Sequence, residues 1–184
     1  AELEQLIARR IEHPAIIAPL AAGLADTSAY LVTDFVSADA SDVYFRGRTQ
    51  RLVAEVRRVV APVVGALSAA CVANMRHGSL HPRDILVAED DVRLNGLGIA
   101  QAFERAGLAV SVRRPYASPE RLAGEPWTAA ADVFSVAALS FEFLAGKRIT
   151  GLGADAAASL PELEGVQGEA LRGVFAQALA ADPE

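Results

Sequence analysis

The stretch that decides the fold is residues 76–100, RHGSLHPRDILVAEDDVRLNGLGIA. Two short apolar runs, at 85–87 and 92–94, are separated by an acidic turn at 89–91. Short aliphatic runs on either side of a polar turn predict a β-hairpin. Because the strands of a hairpin are antiparallel, we expect the polar segment before the first strand and the polar segment after the second strand to lie side by side.

Composition places the chain among folded globular proteins. It has 184 residues and a mass of 19.3 kDa, with 52% hydrophobic and 22% charged residues, which is enough apolar material to bury a core. The net charge of −6 and the pI near 5.1 argue against nucleic acid as a partner. No apolar run approaches the roughly 20 residues that span a bilayer, so we expect no membrane contact by this segment.

The chain begins at Ala1 within a helical pattern and lacks the features of a signal peptide. We therefore expect a segment of a longer protein, which leaves room for a membrane anchor elsewhere in the parent. The single cysteine, Cys71, lies in an apolar helical run. It is expected to be a small buried residue in a reducing, cytoplasmic compartment.

Hydrophobic periodicity predicts an α+β fold that is mainly α. Within the longest helical pattern, Pro62 is expected to cause a kink or break, and Asn74 is expected to adopt a left-handed conformation at the helix end. The predicted elements are helices at 2–12, 51–75, 132–146 and 168–181, strands at 16–20 and 29–36 around a turn at 23–28, irregular segments at 37–47 and 101–116, and a loop with a short helix at 151–165.

The hairpin and its two polar flanks resemble the active-site junction of protein kinases, and of bacterial Ser/Thr kinases in particular. That family places H-R-D-L-x-x-x-N before the hairpin and D-F-G after it. Here His77 begins the first pattern and Gly98 ends the second. The segment from Tyr116 to Glu120 resembles the A-P-E end of the activation segment, and Asp132 resembles the start of the central helix. The intervals between these matches are ordinary for kinases.

The resemblance implies a kinase-like large helical lobe with a partial small lobe. Residues 1–36 would hold an αC-like helix, the last two small-lobe strands and the hinge, and residues 37–184 would form a large lobe truncated at its C-terminal end. If a nucleotide binds, the residues expected to contact it are Thr33 at the gatekeeper position and Asp34 and Val36 in the hinge.

The positions that perform phosphoryl transfer in kinases are changed in this chain. Ser79 stands where the family has the Asp that accepts the substrate proton, and Gly96 stands where it has a magnesium-binding Asp. His81 replaces the Lys that supports the phosphates, and we expect it to face solvent. Gly78 replaces an Arg that clamps the phosphate of a modified activation segment. Asp84 stands at the position of the loop Asn, and it is the one expected metal ligand, a weak one.

Other matched residues are expected to have structural roles. His77 would brace the loop, Asp132 would tie the 77–79 turn to the central helix, and Glu120 would anchor the activation segment. Glu120 pairs in the family with an Arg that would lie beyond Glu184. Glu4 matches the αC Glu, although its upstream Lys partner does not occur in the sequence.

These substitutions predict a catalytically inactive kinase homology domain, a pseudokinase, acting as a regulatory protein-binding scaffold with no cofactor. Loss of a general base alone costs on the order of 10²- to 10⁴-fold in rate. The alternative is an unorthodox ATP-dependent Ser/Thr kinase or other phosphotransferase that uses Asp84, ATP and Mg. The string His77-Gly78-x-Leu80-His81-Pro82 also resembles aminoglycoside-type kinases, but Ser118-Pro119-Glu120 favours protein kinases. An unrelated helical domain is the remaining alternative.

The Ala, Val, Arg and Gly bias is typical of a high-GC bacterium. Pseudokinases of such bacteria include cytoplasmic domains of membrane proteins that take part in cell-wall assembly. By this resemblance, the expected partner is a forkhead-associated phosphopeptide-binding domain that reads a phosphorylated Thr in a flanking tail.

Overall fold

The computed structural model describes residues 9–26, 28–47, 52–163 and 168–182. Its first elements are the strands β1, Pro19–Ala25, and β2, Ser28–Thr33, which pair antiparallel. The predicted first strand at 16–20 is therefore displaced toward the C-terminus. The reason is that Ile17 donates a backbone hydrogen bond to the carbonyl of Leu94 (2.9 Å) and is buried, so it belongs to the core around the hairpin.

The helix predicted at 2–12 does not extend through its last residues. Residues 9–12 form a turn followed by irregular chain, and residues 1–8, which include Glu4, lie outside the described part. His13 accepts a hydrogen bond from the backbone N–H of Ala15 through its Nδ1 atom (3.1 Å). This local contact turns the chain toward the hairpin.

The segment 37–47, predicted to be irregular, contains two short elements. Strand β3 is Asp39–Ala40, and helix α1 is Ser41–Tyr44. Ser41 is fully buried, and its hydroxyl donates to the carbonyl of Pro82 (2.6 Å). This contact between distant parts of the chain orders the segment against the turn that precedes the hairpin.

The predicted hairpin is confirmed. Strands β4, Ile85–Val87, and β5, Val92–Leu94, pair antiparallel, with Ile85 opposite Leu94. The order in this three-stranded sheet is β3-β4-β5. Because alternate residues of both strands are buried, the hairpin lies on the core and holds its two flanking polar segments at one end.

Helix α2, Val53–Val72, packs beside the sheet and is continuous through Pro62. The predicted break therefore does not occur, and the alternative of a kink at Pro62 stays a prediction. Asn74 has φ 53°, as predicted for the helix end. Cys71 is exposed, so the prediction that it is buried was wrong; it lies on the outer face of α2.

After the hairpin, the remaining elements complete a mainly helical unit, as predicted. The segment predicted to be irregular at 101–116 begins with a helix, because buried Ala100 and Ala102 pack inward. In chain order the helices are α3, Ile99–Arg105; α4, Pro119–Leu122; α5, Ala129–Ala145; α6, Gly153–Ala158; and α7, Gly168–Ala178.

Helix α5 is the centre of the core. Phe141 and Leu139 are almost fully buried on it, and Gly146 ends it in the left-handed conformation with φ 72°. Thr128 caps its N-terminus by accepting a hydrogen bond from the backbone of Ala131 (3.2 Å). Among the described residues no helix has the length and apolar character needed to cross a bilayer. The division into lobes at residue 36 stays a prediction.

Candidate functional site

The turn before the hairpin is held by the central helix. The carboxylate of Asp132, on α5, is buried and accepts hydrogen bonds from the backbone N–H groups of His77 (2.9 Å) and Gly78 (2.8 Å). The expected contact between Asp132 and this turn is thus present. A carboxylate that accepts two backbone donors fixes their directions, so residues 77–79 have one orientation relative to α5.

His77 joins the two polar segments on either side of the hairpin. Its ring is buried, and Nε2 lies 2.9 Å from the carbonyl oxygen of Asn95. Since a carbonyl can only accept, Nε2 carries the proton. The same nitrogen lies 4.0 Å from Oδ2 of Asp84. The expected juxtaposition of the two segments is therefore present, with His77 as the contact between them.

His81 caps a short 3₁₀ helix, Pro82–Asp84, in place of facing solvent. Its Nδ1 accepts from the N–H of Arg83 (3.2 Å), and its own N–H donates to Oδ2 of Asp84 (2.9 Å). The half-buried ring packs edge-on against Tyr116, with 5.2 Å between ring centroids. The prediction of a solvent-facing His81 was wrong, because the reciprocal cap and the tyrosine ring hold it inward.

Two pKa values are displaced by this packing. Burial, and then the neighbouring Arg113 guanidinium, lower the pKa of His81 below its ordinary value. Burial and the hydrogen bond to Glu142 raise the pKa of the Tyr116 hydroxyl. The imidazole at 81 is therefore mostly neutral near pH 7, and it supplies less positive charge than a lysine would.

Asp84 forms an ion pair within the chain. Its Oδ2 lies 2.9 Å from Nη1 of Arg113, and its side chain is 18% exposed. Arg113 comes from the segment between α3 and α4, so the pair closes the turn against that segment. The guanidinium lies against the carboxylate where a divalent cation would need to bind.

The other two matched positions carry no carboxylate. Ser79 is half-buried in the turn. Gly96 has φ +81°, a left-handed conformation in which an aspartate side chain would be strained. In the described part of the chain there is no group of three or more His, Cys, Asp or Glu side chains placed to hold a metal ion. The residues present therefore do not fit the magnesium site of a kinase.

A family model described as the protein kinase domain matches residues 1–165. The chain belongs to the protein kinase domain family. Serine/threonine-protein kinase PknJ of Mycobacterium tuberculosis is 28% identical over 163 residues, covering 84% of this chain and 28% of PknJ. PknB of Mycolicibacterium smegmatis is 29% identical over 160 residues, covering 76% of this chain and 24% of PknB.

A plant relative and a solved structure are also similar to this chain. AtPK1/AtPK6 of Arabidopsis thaliana is 32% identical over 149 residues, covering 78% of this chain and 32% of the plant protein. The crystal structure of the M. tuberculosis PknI kinase domain superposes with a TM-score of 0.74 at 24% identity, covering 96% of this chain and 68% of that one. The chain spans about a third or less of the length of PknJ, PknB and AtPK1/AtPK6.

In this protein kinase domain, the expected hinge positions lie at the end of β2 and directly after it. Thr33 ends β2, and its hydroxyl lies 3.3 Å from the carbonyl of Asp34, which is exposed. Val36 lines an open cavity of about 840 Å³ together with Tyr44. The described lining of that cavity does not include Ser79, Asp84 or Gly96.

The segment at 116–127, which begins with the stretch matched to the end of the kinase activation segment, contains residues that sequence reasoning missed. Glu120 has a buried Oε1 without a hydrogen-bond partner in the described part of the chain, and its anchoring role stays a prediction. The next residue, Arg121, is 7% exposed, pairs with Glu104 and packs over the ring of Trp127, the only tryptophan of the sequence. The one feature of the sequence that could have indicated this contact is the lone tryptophan, which follows the arginine by a few residues.

Proposed function

We propose that this chain is a catalytically inactive protein kinase homology domain, a pseudokinase, that acts as a regulatory protein-binding scaffold. The observation that carries the proposal is the ion pair between Asp84 and Arg113. This pair engages the carboxylate of Asp84. At the two positions where kinases have a catalytic Asp and a magnesium-binding Asp, this chain has Ser79 and Gly96.

The chemistry of phosphoryl transfer supports this proposal. The protein contributes mainly positioning and electrostatic stabilisation, and the metal ions neutralise most of the charge that develops. Without carboxylates at Ser79 and Gly96, neither a base nor a second metal ligand is available at those positions. His81 is mostly neutral near pH 7 because its pKa is lowered, so it is a poor replacement for a phosphate-binding lysine.

The second candidate is an unorthodox ATP-dependent Ser/Thr protein kinase or other phosphotransferase. It is favoured by the relatives, which are named as serine/threonine-protein kinases. In this candidate ATP and Mg would bind with Asp84 as ligand, after Arg113 has moved away. The two candidate functions therefore differ in whether the ion pair between Asp84 and Arg113 breaks when nucleotide binds.

The deciding experiment is a calorimetric titration of the full-length protein with ATP, with and without Mg²⁺, alongside a phosphotransfer assay with radiolabelled ATP. We expect no magnesium-dependent binding and no transfer in the wild type or in Asp84→Ala. Arg113→Gln frees the carboxylate, and Arg114→Gln is the matched control for the same change of charge on an exposed neighbour. Magnesium-dependent transfer by the wild type that is lost in Asp84→Ala would establish the second candidate.

The partner we propose is a forkhead-associated domain that binds a phosphorylated Thr in a flanking part of the protein. The proposal includes a cytoplasmic location and a role in bacterial cell-wall synthesis, and its support is the bacterial relatives. A pull-down of purified forkhead-associated domain with full-length protein, phosphorylated or not, tests it. We expect retention only of the phosphorylated form; equal retention of both forms, or of neither, would refute this partner.

A further inference from the structure

Arg121, on α4, is a buried cation whose two terminal guanidinium nitrogens have partners, while its Nε has none among the described residues. Its side chain is 7% exposed. The guanidinium forms an ion pair with Glu104 of α3, donates to the carbonyl of Glu125, and lies 3.2 Å from the ring centroid of Trp127. A buried arginine is strongly unfavourable unless its charge is paired and hydrogen-bonded. These partners are therefore required for Arg121 to remain where it is.

Trp127 also packs on the turn that carries His77. A Cβ atom at Gly78 would lie 2.6 Å from Cε3 of the Trp127 ring and 2.7 Å from Cζ3, and Gly78 has φ +76°. The ring thus fills the space beside Gly78, and the glycine is required by both contact and conformation. The N–H of Gly78 donates to Asp132 of α5, so the turn that the ring contacts is itself held by the central helix.

Glu104 occupies an unfavourable place in its own helix. It lies in the last turn of α3, Ile99–Arg105, where the helix dipole disfavours a negative charge. Its side chain is 30% exposed. The pairing with Arg121 offsets that cost and gives the end of α3 a fixed position relative to α4 and Trp127.

Two hydroxyl groups occur in the same segment, since residues 99–117 contain Ser111 and Tyr116. Tyr116 is 1% exposed, and its hydroxyl donates to Glu142, whereas Ser111 is exposed. The negative charge that pairs with Arg121 is a carboxylate of the chain itself, that of Glu104.

We propose that Glu104, Arg121 and Trp127 form a permanent latch, seated on Gly78, that fixes the activation segment without phosphorylation. This device goes beyond the proposed function, since it holds whether or not the chain binds nucleotide. It predicts that the segment keeps one position in the unmodified protein.

Residue-resolved hydrogen exchange of the full-length protein tests the latch. The amides of Ala106, Gly107 and Leu108 donate to carbonyls of α3 at 3.1, 2.9 and 2.9 Å, so their exchange reports the opening of its C-terminal end. In Glu104→Gln we expect these amides to exchange roughly tenfold to a hundredfold faster, the loss that accompanies one charged hydrogen bond. Glu125→Gln is the matched control, because Arg121 uses only the backbone carbonyl of that exposed residue.

A second measurement keeps the test independent of nucleotide binding and of global folding. Trypsin cleavage after Arg105 requires the end of α3 to open, and we expect it to accelerate in Glu104→Gln and in Trp127→Ala. Should Trp127→Ala not fold, Glu104→Gln carries the test, and thermal unfolding gives its global stability beside that of Glu125→Gln, so that local opening is separated from global unfolding. Exchange and cleavage in Glu104→Gln equal to those of Glu125→Gln would overturn the latch, and leave the proposed function untouched.

Discussion

Replacing Asp132 by Asn removes the charge that holds the turn of residues 77–79 to the central helix. The carboxylate is buried and accepts from two backbone donors, His77 N–H at 2.9 Å and Gly78 N–H at 2.8 Å. Asparagine has the same shape but offers one acceptor oxygen, and its NH₂ group faces the other donor. One backbone N–H is then left without a partner inside the protein.

The expected destabilisation is about 3 kcal/mol. A hydrogen bond to a charged group contributes about 1.5–3 kcal/mol, and an unsatisfied buried donor costs about 1–3 kcal/mol. Both ranges describe the loss of the same contact, so the two free energies are not added. Asp132 also lies near the N-terminus of α5, Ala129–Ala145, where a negative charge contributes about 0.3–1 kcal/mol. For a domain of this size, about 3 kcal/mol corresponds to a fall in Tm of about 6–12 °C.

The assay is urea unfolding of wild type and Asp132→Asn, followed by circular dichroism. Asp155→Asn is the control, because Asp155 is an exposed acid in the first turn of α6, and its change should stay within about 0.5 kcal/mol. If Asp132→Asn were no less stable than Asp155→Asn, the carboxylate would not hold the turn, and the account of the site built on it would fail.

Two further outcomes follow from the turn. Because the folded pKa of His81 is lowered, the unfolded chain binds more protons below the ordinary histidine pKa, and stability falls as the pH drops through that window. His81→Asn keeps the cap acceptor but not the titration, so its stability relative to wild type should improve from pH 7.5 to 5.5 in urea unfolding; a constant difference would contradict this. Gly78→Ala should lose about 2 kcal/mol or more by the same measurement, from left-handed strain of about 1–2 kcal/mol plus the clash with Trp127. Gly124→Ala, with φ +86° and open space around it, should show the strain alone, and equal losses would refute the clash.

The parts predicted correctly from the sequence are those specified by local pattern. The hairpin was predicted at its observed boundaries because two aliphatic runs flank an acidic turn, and Asn74 was placed correctly because few other residues adopt its conformation. The first strand was misplaced because Ile17 bonds to Leu94, which is distant in sequence. Contact with a residue that is distant in sequence leaves no pattern in a short stretch of sequence, so it could not be predicted.

The polar contacts of the site show the same limit. Asp132 was matched to the turn through a family interval, and its contact is present. By contrast, the ion pair between Arg113 and Asp84 joins a segment without hydrophobic periodicity to a turn. Nothing in the sequence around either residue predicts that the other is its partner. Arg121 and Trp127 were missed for the same reason, since an arginine in a short polar segment usually faces solvent.

Several polar groups of the turn bond to one another, and this has a consequence for ligands. His77 bonds to Asn95, Asp84 to Arg113 and His81, and the backbone of 77–78 to Asp132. A ligand that binds the folded state stabilises it in proportion to its affinity and concentration, but here it must first break contacts that already stabilise the fold. Each such contact sets a cost that nucleotide binding must exceed. The contacts of the turn therefore stabilise the fold from within the chain.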